Sequence, residues 1–215
     1  MSSTATAARS TDRRYYGVVE ALVVQNDDSE KEGRVKVQYP WFDDTMISEW
    51  CRVCQLYAGA GYGAFWTPEI GDEVLVSFVH GDMRHPIVLG GLYNGTDKPA
   101  THRLNDKDEK LIRTKAGHQI LLVDTAGEER IVIVDKSEKH QIEISTKDNS
   151  ITISSTGGKI TFAAKEIEIQ ADDKLSIKAN SIIAEAQSDV EVKAASIDAK
   201  ASGNMTLKGS TINLN

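Results

Sequence analysis

The sequence predicts an all-β chain in two unlike parts: a small closed barrel, then a long repetitive needle that is complete only when three chains combine. Three observations carry this expectation. Short runs rich in β-branched residues alternate with Gly and Asp turns over roughly the first hundred residues. Twelve of the 13 aromatic residues, all four prolines and both cysteines fall before residue 100, leaving only Phe162 beyond. From there to the C-terminus, apolar pairs of the type Ile-x-Ile recur at a nearly regular step.

Residues 1–14 are small and polar, with three arginines, and read as a flexible arm. The barrel is assigned to 15–97, with candidate strands at 16–25, 33–39, 49–55, 73–79 and 87–92. In Arg34-Val35-Lys36-Val37-Gln38-Tyr39, strict alternation puts Val35, Val37 and Tyr39 on one face, as in a half-buried strand. Five strands in about 80 residues, punctuated by Ile70-Gly71-Asp72 and His80-Gly81-Asp82, suit a Greek-key barrel of OB type. An SH3-like barrel fits the composition nearly as well. The run Gly59-Ala60-Gly61-Tyr62-Gly63 lacks the following Lys-Ser/Thr of a phosphate cradle and reads as a loop needing positive φ.

A linker is assigned to 98–110 and the needle to 111–215. Its pairs are Ile120/Leu122, Ile131/Ile133, Ile142/Ile144, Ile151/Ile153, Ile160/Phe162, Ile167/Ile169, Leu175/Ile177, Val190/Val192, Met205/Leu207 and Ile212/Leu214, with weaker members at Ile182/Ala184 and Ile197/Ala199. From Ile160 the first member steps alternately by 7 and 8 residues. One such strand buries too little apolar area to offset the ordering of its backbone. A single-chain solenoid needs roughly 20 or more residues per coil, more than twice this step. Three chains, each giving one strand per level, would place the pairs from Ile142 to Leu214 on a three-fold axis and cover every edge. Ten to twelve levels at the ~4.8 Å strand spacing give a stiff rod of roughly 50–60 Å.

Charge and motif content exclude several chemistries. The net charge of −7 divides into 8 basic and 14 acidic residues over 1–97, and 17 basic and 18 acidic over 98–215. An acidic barrel does not neutralise phosphates, so nucleic acid is not an expected partner. Cys51 and Cys54 are three apart on a strand, point to opposite faces and have no second Cys or His cluster to complete a metal site; both are expected buried or half-buried. The five histidines are scattered, and His80 and His85 flank a turn without the third group that a catalytic site requires. The carboxylate pairs Asp27-Asp28, Asp43-Asp44 and Asp172-Asp173 read as turn residues. No catalytic, cofactor or metal residues are assigned. No run approaches the ~20 apolar residues that span a bilayer, and 1–14 lacks the apolar core of a secretory signal. The chain is expected to be made in the cytoplasm.

Six pieces occur in order over some 60 residues: Gly33-Arg34-Val35-Lys36-Val37 with Pro40-Trp41, Trp50-Cys51-Arg52-Val53, Ala58 to Gly63, Pro68-Glu69-Ile70-Gly71-Asp72-Glu73-Val74, Gly81-Asp82, and Pro86-Ile87-Val88-Leu89-Gly90. This series resembles the OB domain of VgrG and phage baseplate assembly protein V. The segments 114–120 and 124–131 are similar to the VgrG stretch between barrel and needle. The resemblance implies a homotrimeric, non-enzymatic spike that caps the tail tube of a contractile injection machine and pierces the target envelope.

Further expectations rest on the same resemblance. The chain has no room for the large hub domain of full VgrG proteins, which implies a separate tail hub protein as partner at the barrel end. Trp41, Phe42, Phe65 and Trp66 are candidates for that contact, competing with a place in the barrel core. The interval 97–108 is too short for the lysozyme domain of some phage spikes. Lys208 to Asn215 carries no histidine for an apical iron, leaving a blunt end for a separate PAAR-type tip protein. The particle would be a phage tail or phage-tail-like baseplate, meeting a membrane only during puncture. Two other readings compete: a trimeric carbohydrate-binding fibre or adhesin, which an exposed aromatic platform on the needle would favour, and a single-strand nucleic-acid binder, which a basic groove would favour.

Overall fold

Alternate burial along short strands builds the first domain. The computed structural model describes residues 14–103 and 107–213; of the expectations above, the N-terminal arm apart from Arg14, and Leu214, lie outside them. Strands β1 (Val18–Gln25), β2 (Lys36–Tyr39), β3 (Asp43–Ile47), β4 (Arg52–Val53), β7 (Glu73–Phe78) and β8 (Pro86–Gly91) form one sheet in the order β3-β2-β1-β7-β8-β4, while β5 (Ala58–Gly59) and β6 (Tyr62–Gly63) form a small hairpin. Along β7, Val74, Val76 and Phe78 point inward while Glu73, Leu75 and Ser77 face out.

The sheet closes on itself. Val35, just before β2, donates to the carbonyl of Cys51, just before β4, at 3.0 Å, and the Cys51 N–H returns the bond at 2.7 Å. With β4 running parallel to β8, the ring has five strand positions and one parallel joint. This is an OB-type barrel, and it removes the SH3-like alternative. Ala21, Val23, Val35, Val37, Tyr39, Cys51, Val74, Val76, Phe78 and Val88 fill its interior.

Several expectations change. Asp43-Asp44 sits in strand β3 and not in a turn; this strand lies at the sheet edge, so its outward acidic side chains remain hydrated. The predicted strand 49–55 shrinks to the Cys51 bridge and two residues of β4. The glycine run holds the β5–β6 hairpin, with Gly61 and Gly63 at positive φ as expected. Asp28 does organise a turn, its carboxylate accepting the N–H groups of Glu30, Glu32 and Arg34 and a bidentate pair from the Arg34 guanidinium at 2.9 and 3.0 Å. The Arg34 guanidinium holds the Asp28 carboxyl well below the usual carboxylate range.

Beyond the barrel, β9 (Glu109–Arg113), β10 (Gln119–Val123), β11 (Arg130–Val134), β12 (His140–Ser145) and β13 (Ser150–Ser155) form an antiparallel meander in sequence order. β9 starts inside the segment expected to be linker. The expectation of one strand per level from each chain fails over this stretch, because these strands find their partners within their own chain. The reason lies in the step. First members at Ile120, Ile131, Ile142, Ile151 and Ile160 are 11, 11, 9 and 9 residues apart, which leaves room for a five- or six-residue strand and a reversing turn. The later step of 7 or 8 does not.

The chain divides into two compact units at the same place, one ending at Ile160 and the other beginning at Thr161. Among the described residues of the second unit, none belongs to a strand formed within the chain, and its apolar side chains are exposed.

Candidate assembly surfaces

The register of the five-stranded sheet brings the predicted pairs into rows. Ile112, Ile120, Ile133, Ile142 and Ile153 lie directly opposite one another in sequence across β9 to β13; Leu122, Ile131, Ile144 and Ile151 form the neighbouring row. Cross-strand neighbours of this type pack side by side. These residues are nevertheless 38% to 73% exposed, while Val123 and Val132 on the opposite face are buried. The chain thus turns its more apolar face to water, the reverse of what a solitary half-covered sheet would do.

The four predicted hub-contact residues separate into two places. Trp41 and Phe42 touch each other edge to face with ring centres 5.6 Å apart, and both touch Tyr15, at 5.5 and 6.4 Å. Trp41 also meets the buried Tyr39 at 6.2 Å. Tyr15 is fixed by its N–H donating to Gly81 at 2.9 Å. The cluster is therefore rooted in the core through Tyr39 and Phe78 yet leaves Trp41 and Phe42 about half exposed.

Phe65 and Trp66 follow the β5–β6 hairpin. Phe65 lays its ring against Gly33, at positive φ, where a Cβ would come within 2.6 Å of the ring. Trp66 is gripped by Gln55, whose side-chain amide donates to the Trp66 carbonyl at 3.2 Å and accepts its N–H at 3.1 Å, in the manner of a strand pair. A Lys115–Glu69 ion pair at 3.2 Å ties the β9–β10 turn to the segment just beyond Trp66. The indole thereby lines the same groove as Ile112, Ile120 and Ile142. Sequence reasoning had no means to place it there, since the contact joins residues about 50 apart through a loop.

Among the described residues, the depressed carboxylates sit in local turn and ion-pair contacts. Asp82 is held well below the usual carboxylate range by the Arg84 guanidinium, with His85 3.4 Å away and exposed. His140 Nδ1 lies 2.9 Å from Ser155 Oγ. Asp135, however, accepts the backbone N–H of His140 and not its ring, so no relay of the Ser-His-Asp kind exists. Among the described residues, no three His, Cys, Asp or Glu side chains converge as metal ligands. Cys51 is buried, and burial pushes its thiol up to about 11. Cys54 is exposed, contrary to expectation, because the strand alternation that buries Cys51 turns Cys54 outward. No helix of the described residues is long and apolar enough to cross a membrane.

The closed barrel and the apolar sheet that follows it define a class that comparison makes specific. Residues 19–93 match the type VI secretion system/phage-baseplate injector OB domain family. The chain resembles VgrG-type spikes. It is 37% identical over 111 residues to the type VI secretion system spike protein VgrG3 of Vibrio cholerae, covering 47% of this chain and 11% of that protein. Over 138 residues it is 30% identical to the spike protein VgrG1a of Pseudomonas aeruginosa, covering 58% of this chain and 21% of that one. The actin cross-linking toxin VgrG1 of Vibrio cholerae is 34% identical over 113 residues, with 10% of its length matched. The chain thus spans between about a tenth and a fifth of these relatives.

Proposed function

We propose that the chain is a structural component of a contractile injection machine: a spike in which three copies combine, with the barrel (15–97) toward the tail tube and the repeat (111–215) as the needle. The observation that carries this is the exposed, register-matched apolar face of β9 to β13. Two rows of Ile and Leu in water are unfavourable at about 25 cal/mol per Å² of apolar area, and copies of the same face cover them at no cost in complementarity. Among the described residues beyond Ile160, the pairs have no strand partner in their own chain and their apolar side chains are exposed; Phe162, Ile167, Ile169, Leu175, Ile177, Val190, Val192, Met205, Leu207 and Ile212, and Leu214 by extension of the pattern, would form the axial core.

The spike role is supported by the description of VgrG3 and VgrG1a as spike proteins, and the barrel match supports a place at the baseplate. Trp41 and Phe42, half exposed yet anchored on Tyr39, are the residues we assign to a separate tail hub protein. A PAAR-type tip protein would seat at the C-terminal end, and the target membrane would be met only during puncture. The work of such a part is mechanical, and no step of catalysis is proposed. An adhesin reading lacks its expected signature, since Phe162 is the needle's one aromatic residue.

Light scattering on the purified chain tests the reading. A mass of about 70 kDa, three times the 23.5 kDa chain, is expected. A folded single chain at micromolar concentration would overturn it.

A further inference from the structure

Two sets of apolar side chains face water in this chain, and they differ in what association costs them. The nine Ile and Leu side chains in the two rows on β9 to β13 stand on strands whose backbone bonds are made within the chain. All of them precede the end of the first compact unit at Ile160. This face exists before any partner arrives, and its β-branched side chains have few rotamers left to lose when covered. Pairs beyond Ile160, such as Ile167/Ile169 and Val190/Val192, belong to no strand formed within the chain. Covering them requires fixing their backbone in the same step, which opposes association at every residue ordered.

The preformed face is also large enough. From 38% to 73% exposed, its nine side chains present on the order of 700 Å² of apolar area, close to the ~800 Å² that each partner gives to a stable protein–protein contact. Lys110, which heads the second row opposite Leu122, is held by Asp108 and Asp124 at 2.6 and 2.5 Å and brings its charge already paired. The occupant that fits is a second copy: the rows repeat at the two-residue period of a strand and at the spacing of a ladder, and another copy carries the same spacing. We infer that the β9 to β13 face holds copies of this chain together by itself, and that the pairs beyond Ile160 are dispensable for association. This rests on the trimeric reading above. Once three sheets have met, the segments that follow are tethered to one another at an effective concentration on the order of millimolar, so their ordering no longer waits on diffusion.

The test keeps the full chain. Ile167→Asp, Ile177→Asp and Val192→Asp together set charges into three pairs of the repeat, and Ile142→Asp alone sets one into the sheet face. Mass is read by light scattering at micromolar concentration, with the barrel's near-UV circular dichroism as the check on folding. The repeat variant is expected to keep the mass of three chains, and the sheet variant to fall to that of one. If the unchanged protein holds three chains and the repeat variant falls below three, the inference is overturned and the spike reading stands. A sheet variant that stays at three chains overturns it equally. An unchanged protein that runs as a folded single chain overturns both. Should the aspartates cause precipitation, Ile167→Lys, Ile177→Lys and Val192→Lys repeat the reading with charge of the opposite sign: three chains support the inference, fewer refute it.

Discussion

The barrel and the repeat solve the same problem, what to do with alternating apolar residues, in opposite ways. In the barrel, Val35, Val37, Val74, Val76 and Val88 are wholly buried within one chain, because five strand positions close around them. In the repeat, Ile131, Ile133, Ile142 and Ile144 have the same alternation and ladder partners of their own yet stay open to water. Hydrogen bonding and burial are therefore separable. A strand can satisfy its backbone within the chain and still leave its apolar face to be covered from outside.

The comparison can be broken most severely on the repeat side. Ile131→Asp places a charge in the middle of the apolar face, and desolvating it unpaired is far more costly than the contact it replaces. The expected result is complete loss of assembly, read as a fall in scattering mass to a single chain, with near-UV circular dichroism unchanged because every Trp and Tyr precedes residue 94. A barrel signal that vanished together with the mass would show that the two regions fold as one.

The next largest effect is on the barrel side. Phe78→Ala empties a buried site and is expected to cost about 3–5 kcal/mol. Followed by denaturant unfolding of the barrel signal, this loss is the same at tenfold different protein concentrations if the barrel's core is its own. A concentration-dependent loss would tie the barrel to assembly.

A smaller effect comes from acid. The Arg34 guanidinium depresses the Asp28 carboxyl in the folded state, so its contribution is complete above the unfolded value of about 3.9 and is lost as pH falls through the folded value. Asp28→Asn removes it at every pH. The variant is expected to be less stable at pH 7 and to lose stability less steeply between about pH 4 and 2. A slope equal to that of the unchanged protein would shift the acid sensitivity to another depressed carboxylate, such as Asp82.

The mildest probe leaves the fold untouched. An alkylating reagent is expected to label Cys54 in the native protein and Cys51 only after unfolding, because burial keeps the Cys51 thiol protonated and out of reach. Labelling both thiols in the native protein would show that the barrel opens at Val35 and Cys51.

Much of this was legible in the residues. Alternation located β2, β7 and the apolar pairs, and the ordered short motifs identified the barrel. What escaped depends on neighbours. β3 is an edge strand with a polar sequence, held by pairing to β2 and not by its own preference. Cys51 is fully buried because the strand it leads into closes the ring at Val35, which the alternation by itself does not show. The place of Trp66 beside Ile112 arises from a loop meeting a turn, which no periodicity encodes. The change at Ile160 was present in the spacing all along: a step of 9 to 11 permits a hairpin, a step of 7 or 8 does not, and the regular alternation of the second hid the difference from the first.

That change of step also has a kinetic meaning. Strands that reverse on themselves fold at a rate independent of how many other chains are present, whereas residues 161–213, which form no strand within their own chain, would order only by encounter if three copies combine as proposed. On that reading their folding rate would rise with more than the first power of concentration. Dilution, harmless to the barrel, would then act on this last quarter of the molecule as a denaturant does.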